Sequence, residues 1–316
     1  MKPEVLVMAA SPSASVMAQL EQHFECRHLW QQPLEQQAAW LESVAGSVRA
    51  VLTTGAIGIN AALLAQLPKV EIVAVNGIGT DAVNLAATRA RGIHVTNTPG
   101  VLTDDVADLA LTLLLSAARR LPALDFFVRT GGWEAGKAIA PTRALRGKVC
   151  GVYGFGRIGQ AIALRAQAFG MQVQYFQPRA IDGVGVPRAD SLLALAEASD
   201  YLVVAAPGSP ATRHSVDAAV LAALGPQGTL VNIARGSLVD EEALIAALRE
   251  RSLGMAALDV FADEPRVPAA LRELDNVVLT PHVGSLTVET RNAMGQLVVD
   301  NLLAHFGGKA LLTPVA

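Results

Sequence analysis

Three ionisable side chains each follow a short apolar run late in the chain. Arg235 comes after Leu230-Val231-Asn232-Ile233, Glu264 after Met255-Ala256-Ala257-Leu258-Asp259, and His282 after Val277-Val278-Leu279-Thr280. Histidine is the side chain best placed to deliver a proton near neutral pH. A carboxylate bonded to its second ring nitrogen would orient it and raise its pKa. Arginine offers a fork of donors that suits a carboxylate and polarises a neighbouring carbonyl. The trio therefore fits protonation of a carbonyl oxygen that sits beside a carboxylate. Each residue also has an ordinary reading: a surface charge for Arg235, a loop acid before Pro265 for Glu264, a satisfied core histidine for His282.

Reduction of such a carbonyl also needs a hydride, and an earlier stretch fits its carrier. Val149-Cys150-Gly151-Val152-Tyr153 reads as a strand, and Gly154-Phe155-Gly156-Arg157-Ile158-Gly159 as a turn that opens a helix. In a dinucleotide fingerprint the first glycine makes the turn, the second admits the pyrophosphate, and the third lets helix and strand approach. An ordinary tight turn carries similar letters. The next strand, Met171 to Phe176, ends in Gln177-Pro178-Arg179. Enzymes that hold a free 2′-hydroxyl usually place an acid there. Gln177 does not repel a 2′-phosphate, and Arg179 can pair with one, so NADP is the expected cofactor, with NAD possible. A merely solvated Arg179 is the plainer alternative.

The elements that must position these residues alternate strand and helix. Strands are expected at 5–9, 48–53, 72–75 and 93–96, then at 149–153, 171–176, 201–205, 230–233, 255–259 and 277–280. Helices are expected at 13–24, after Gly58 as far as Leu67, at 106–118, and at 191–197, 218–224 and 241–249. Such alternation implies an α/β fold with parallel sheets, doubly wound, and ligands gather at the carboxyl ends of the strands. Asn76-Gly77-Ile78-Gly79-Thr80-Asp81 lies at one such end, where Gly77 and Gly79 could offer backbone N–H groups to a small anion or form a plain turn. Thr98-Pro99-Gly100 reads as a junction, with Thr103 capping the helix that follows. The stretch from Leu121 to Arg146, with Gly131-Gly132-Trp133, reads as irregular: a surface loop or an arm to a second subunit.

Composition narrows the class. The chain has 316 residues, is 52% hydrophobic and 17% charged, and carries a formal net charge of −3. That suits two globular domains and argues against nucleic acid or an anionic membrane as partner. Cys26 and Cys150 have no metal-ligand spacing, and no metal is expected. A reducing, cytoplasmic setting fits. The start Met1-Lys2-Pro3-Glu4 lacks the pattern of a secretory leader, and the apolar run 106–118 is too short to span a bilayer.

Taken in order, the stretches quoted above, with Asn232-Ile233-Ala234-Arg235-Gly236-Ser237-Leu238-Val239-Asp240-Glu241, Leu258-Asp259-Val260-Phe261-Ala262-Asp263-Glu264-Pro265 and Pro281-His282-Val283-Gly284-Ser285, resemble the D-isomer-specific 2-hydroxyacid dehydrogenase family. Thr98 to Asp108 and Ser285 look most like its glyoxylate/hydroxypyruvate reductase branch. The resemblance implies two Rossmann-like domains with the active site in their cleft: a discontinuous, flavodoxin-like substrate-binding domain at 1–98 plus 286–316, and an NAD(P)-binding domain at 99–285. It implies a homodimer built around the latter. It makes Arg235, Glu264 and His282 catalytic and puts Ile78, Gly79, Arg235, His282 and Ser285 on the substrate. The cofactor contacts it implies start with Thr103, the loop Gly154, Phe155, Gly156, Arg157, Ile158 and Gly159, and the strand end with Gln177 and Arg179. Further along they are Ala206, Pro207 and Thr212, then Ile233, Ala234 and Arg235, and finally Asp259, His282 and Gly284. Asp259 would reach the nicotinamide carboxamide. The implied reaction is NADPH-dependent reduction of a small 2-oxo acid, such as glyoxylate or hydroxypyruvate, to the D-2-hydroxy acid. Two alternatives stay open: a bulkier acid (hydroxyphenylpyruvate, 2-ketogluconate, phosphoglycerate), or a nucleotide-sensing binding protein on the same fold.

Overall fold

Short, almost wholly apolar strands such as Ile72-Val73-Ala74-Val75 are what a parallel sheet covered on both faces demands, and the chain builds two such sheets. The computed structural model describes residues 2–9 and 13–315. Packing divides the chain into two units, one of 1–102 with 285–316, the other of 103–284. The sequence expectation put the junctions at 98/99 and 285/286.

The first unit runs β1 (Glu4–Val7), α1 (Ala14–His23), β2 (Glu25–His28), α2 (Gln37–Val44), β3 (Val48–Thr54), α3 (Ala61–Ala65), β4 (Ile72–Asn76), α4 (Leu85–Ala90) and β5 (His94–Thr96). Its five parallel strands lie in the order β2-β1-β3-β4-β5. Alternate residues face opposite sides, as a period of two requires. Leu6, Val51, Val73 and Val75 pack with Leu41, Leu64 and Leu67, while Val5, Val7, Ala50, Leu52, Ile72 and Ala74 pack with Val16, Leu20, Val298 and Leu302.

The second unit runs α5 (Thr103–Arg119), α6 (Leu121–Arg129), β6 (Val149–Tyr153), α7 (Arg157–Ala168), β7 (Gln172–Phe176), α8 (Leu192–Glu197), β8 (Tyr201–Val204), α9 (Ala218–Leu224), β9 (Thr229–Asn232), α10 (Glu241–Arg249), β10 (Met255–Leu258), α11 (Ala269–Arg272) and β11 (Val277–Leu279). Its six strands are parallel in the order β11-β10-β9-β8-β6-β7, and the order reverses at β6/β8. The last helix, α12 (Val288–Phe306), returns to the first unit, where Gly295 lets it approach Val16 of α1. Both sheets are doubly wound, as expected of the α/β class.

Two expectations need correction. The stretch after Leu121 opens with a helix: Pro122 suits a first turn and Leu121, Phe126 and Val128 are its exposed apolar residues. β2 was not expected, because Glu25-Cys26-Arg27-His28 has no apolar alternation. Pairing to β1 and the Arg27–Glu4 ion pair at 2.8 Å hold it in place. Among the described residues no helix is long and apolar enough to cross a membrane.

The far end of the second sheet is tied by Asp200, which accepts the Val149 N–H at 2.9 Å and pairs with Lys148 at 3.0 Å and Arg143 at 3.3 Å. Burial opposes its charge, yet these donors hold the carboxyl below its ordinary value. A depressed native pKa contributes stability above the unfolded value, and the contribution is lost as pH falls through the native one. Asp200→Asn should therefore cost about 1 kcal/mol at neutral pH. In urea unfolding, the gap from wild type should close as pH drops below about 4.

Candidate active site

The register of three strands explains why the ionisable trio converges. Asn232, Leu258 and Leu279 lie at one level on β9, β10 and β11. Neighbouring strands are about 4.8 Å apart, so the three following loops leave one sheet edge within about 10 Å. They carry Arg235, Glu264 and His282 in turn.

His282 and Glu264 meet as expected. The imidazole Nδ1 lies 2.6 Å from Glu264 Oε2, and Glu264 Oε1 accepts the Phe261 N–H at 3.0 Å. The carboxylate is an acceptor, so the proton of this bond sits on Nδ1. That leaves Nε2 as the ring nitrogen for a reacting group, and among the described residues it has no hydrogen-bond partner. Burial works against the Glu264 charge. The bonds from His282 and Phe261 and the charges of His282 and Arg235 outweigh it, holding the carboxyl below its ordinary value. Arg235 thus acts on the same carboxylate through space.

Two of these side chains, His282 and Arg235, hang on a buried polar residue at a strand end. His282 has φ +53°, the left-handed region. Its N–H bonds the Asp259 carbonyl at 2.8 Å. The Asp259 carboxylate, almost fully buried, takes the Thr280 hydroxyl at 2.6 Å and the N–H groups of Val283 and Gly284 at 2.8 and 2.9 Å. Asn232, equally buried, holds the Arg235 turn. Its Oδ1 accepts the Ala234 N–H at 3.0 Å and its Nδ2 donates to the Arg235 carbonyl at 2.9 Å. Gly236 then packs so close to the backbone of Phe261 that a Cβ would overlap it. The Arg235 and Glu264 loops are thereby locked together.

The glycine loop fits a dinucleotide phosphate. Gly154 has φ +92° and a Cβ there would meet the backbone of Ala206; a Cβ on Gly159 would strike the Gly154 carbonyl. Gly156 differs: a Cβ there meets nothing, and the residue caps α7 with no side-chain bond to its open N–H groups. That is bare backbone at a helix N-terminus of twelve residues, facing open space. Arg157 and Ile158 are its first residues. Thr103 Oγ1, at the start of α5, is shielded and has no partner among the described residues, so a ligand oxygen or N–H could use it. Ala206, Ile233 and Ala234 line the strand ends beside the loop and are buried, and Pro207 follows Ala206.

Several expected contacts are found in intramolecular bonds. Both Asp259 oxygens and the Gly284 N–H are engaged in the His282 turn. Thr212 Oγ1 donates to the Pro207 carbonyl at 2.8 Å and receives the Ser209 N–H at 2.9 Å. Gln177 Oε1 accepts the Phe155 N–H at 3.0 Å, while its Nε2 donates to the Arg179 carbonyl at 2.7 Å. Arg179 itself is exposed. Ile78, Gly79 and Ser285 belong to the first unit. There the Ile78 carbonyl accepts from Asn97 Nδ2 at 2.8 Å, and Gly77 has φ +158°. Sequence reasoning missed Asn232, although an asparagine two residues before the N–H it accepts is a known turn pattern.

Comparison with known proteins agrees with this geometry. Residues 111–284 match the model for the D-isomer specific 2-hydroxyacid dehydrogenase, NAD binding domain. The chain is 47% identical over 310 residues to glyoxylate/hydroxypyruvate reductase A of Arabidopsis thaliana, with 98% of each chain covered. It is 46% identical over 310 residues to hydroxyphenylpyruvate reductase of Plectranthus scutellarioides, again with 98% of each covered. Among solved structures, the NADPH-dependent glyoxylate/hydroxypyruvate reductase of Sinorhizobium meliloti, in complex with NADP and malonate, superposes with a TM-score of 0.91 at 41% identity, covering 100% of this chain and 97% of that one. A match of this extent, on top of two doubly wound sheets and a histidine–carboxylate pair, means that the chain belongs to the D-isomer-specific 2-hydroxyacid dehydrogenase family.

Proposed function

We propose that this protein is an oxidoreductase that reduces small 2-oxo acids, such as glyoxylate and hydroxypyruvate, to D-2-hydroxy acids with NADPH. The observation that carries the reading is the His282 Nδ1 to Glu264 Oε2 bond at 2.6 Å, which leaves Nε2 as proton donor. A bound nicotinamide dinucleotide supplies the hydride. The open N–H groups from Gly156 into the first turn of α7 and the Thr103 hydroxyl would hold it, with Arg179 toward its 2′-phosphate. His282 Nε2 gives its proton to the substrate carbonyl oxygen. Glu264 keeps the imidazolium oriented and offsets its charge. Arg235 pairs with the substrate carboxylate and draws electron density from the carbonyl. The first unit is the substrate-binding domain in this reading, and the second is the NAD(P)-binding domain. Absence of an acid at Gln177 supports NADP over NAD.

A larger side chain on the same 2-oxo acid is the second reading, favoured by an identity to the Plectranthus relative of 46%, against 47% to the Arabidopsis one. A homodimer is also part of the proposal. What supports it is the exposed apolar surface of α6 and the turn after it: Phe126 and Trp133 are each 68% exposed, and Leu121 and Val128 are exposed as well. The setting we assign is cytoplasmic and reducing, in keeping with two free cysteines.

Turnover of a panel of 2-oxo acids, followed at about 340 nm with NADPH and NADH, tests the function; no turnover of any acid would leave a nucleotide-sensing role. His282→Ala should lower kcat by about 10²–10⁴-fold and leave NADPH affinity near wild type; near-full turnover would remove the acid assignment. Asn232→Ala should raise KM for the 2-oxo acid by about tenfold, with a smaller change in kcat, because Arg235 loses its fixed turn. Phe126→Asp should shift the protein from dimer to monomer in sedimentation, and a wild-type monomer would end the dimer proposal.

A further inference from the structure

We propose that Arg188 is a specificity residue for the cofactor: it clears the turn after β7 of exposed carbonyl charge and presents a guanidinium to a 2′-phosphate. This rests on the NADPH reading above and extends it to a residue outside the fingerprint. Residues 187–189 run alongside β7. The Tyr175 N–H bonds the Pro187 carbonyl at 3.0 Å, and the Ala189 N–H bonds the Tyr175 carbonyl at 2.8 Å. That pairing brings Arg188 to the strand's carboxyl end, with Cζ 5.8 Å from the centroid of the Phe176 ring.

There Arg188 Nε donates to the Gln177 carbonyl at 3.1 Å and Nη2 to the Pro178 carbonyl at 3.2 Å. The third carbonyl of the turn, that of Arg179, accepts from Gln177 Nε2 at 2.7 Å. All three carbonyls of the 177–179 turn therefore meet a donor. An anion approaching the turn is not faced by unpaired carbonyl dipoles. Arg188 Nη1 makes no hydrogen bond, and the guanidinium makes no ion pair, among the described residues. Its charge is available to a phosphate. The turn is moored to the glycine loop by the Phe155 N–H to Gln177 Oε1 bond at 3.0 Å, which places both arginines of the turn region, Arg179 and Arg188, on the adenosine side of that loop.

The test is calorimetric titration of the full-length protein with 2′,5′-ADP and with 5′-AMP, which differ only in the 2′-phosphate. Wild type should bind 2′,5′-ADP the more tightly. Arg188→Ala should cut that preference by about tenfold, with unchanged far-ultraviolet circular dichroism. Arg188→Lys, which keeps a charge but cannot span two carbonyls, should recover only part of it. A preference unchanged in Arg188→Ala, an equal loss for both ligands, or full recovery in Arg188→Lys would overturn the role given to Arg188. A wild type with no preference would instead defeat the NADPH reading, and this proposal with it.

Discussion

The Asp259 carboxylate is the contact on which the candidate chemistry depends. A histidine at φ +53° costs about 1–2 kcal/mol against an ordinary backbone. Hydrogen bonds to a charged group contribute about 1.5–3 kcal/mol each, and Asp259 accepts three from the turn on either side of His282. The balance favours the strained turn. Its consequence is directional: the ring is delivered to Glu264 by Nδ1 and turned outward by Nε2. Without Asp259 the imidazole would be a loop side chain with many rotamers, and the 2.6 Å bond to Glu264 would have to order it alone.

The same logic recurs one strand away. Asn232 ends β9 as Asp259 follows β10, and each spends its polar atoms on the loop that carries one of the ionisable trio. Both are about 1% exposed. Burial makes an unmade bond at either position expensive, so each loop has one low-energy path out of the sheet. Gly236 adds the cross-link, since only a residue without Cβ lets the Arg235 turn lie against Phe261. The guanidinium and the carboxyl are thereby placed on one rigid edge rather than on independent loops.

Much of this was legible in the chain. The strands of the second unit fall within a residue or two of their apolar runs, because a buried parallel strand has little freedom in composition. The glycine loop and the His282–Glu264 pair were legible too: φ and close approach dictate glycine, and a histidine and a carboxyl after neighbouring strands of one sheet are brought together. What escaped was decided by partners remote in sequence. β2 is a strand because β1 is beside it, and its own residues do not say so. α6 was hidden because its nine residues carry Pro122 in the first turn and run on into Gly131-Gly132, punctuation that reads as a loop. The intramolecular bonds of Asp259, Thr212 and Gln177 escaped because a side chain that can meet a ligand looks the same in sequence as one that bonds its own turn.

Gln177 shows how far such a local bond reaches. A carboxylate at this position could accept the Phe155 N–H as well as the amide does. It could not donate to the Arg179 carbonyl, and it would set two negative oxygens against each other. The amide is therefore selected by its second bond. That bond fixes the path of the chain through Pro178 to Arg179, and the same exchange of acid for amide removes the charge that would repel a 2′-phosphate. One substitution thus changes both the shape of the turn and the sign of its field. In the NADPH reading proposed above, cofactor preference would be a property of the whole 177–179 turn, together with the guanidinium that braces it, and not of a single residue reading the ribose.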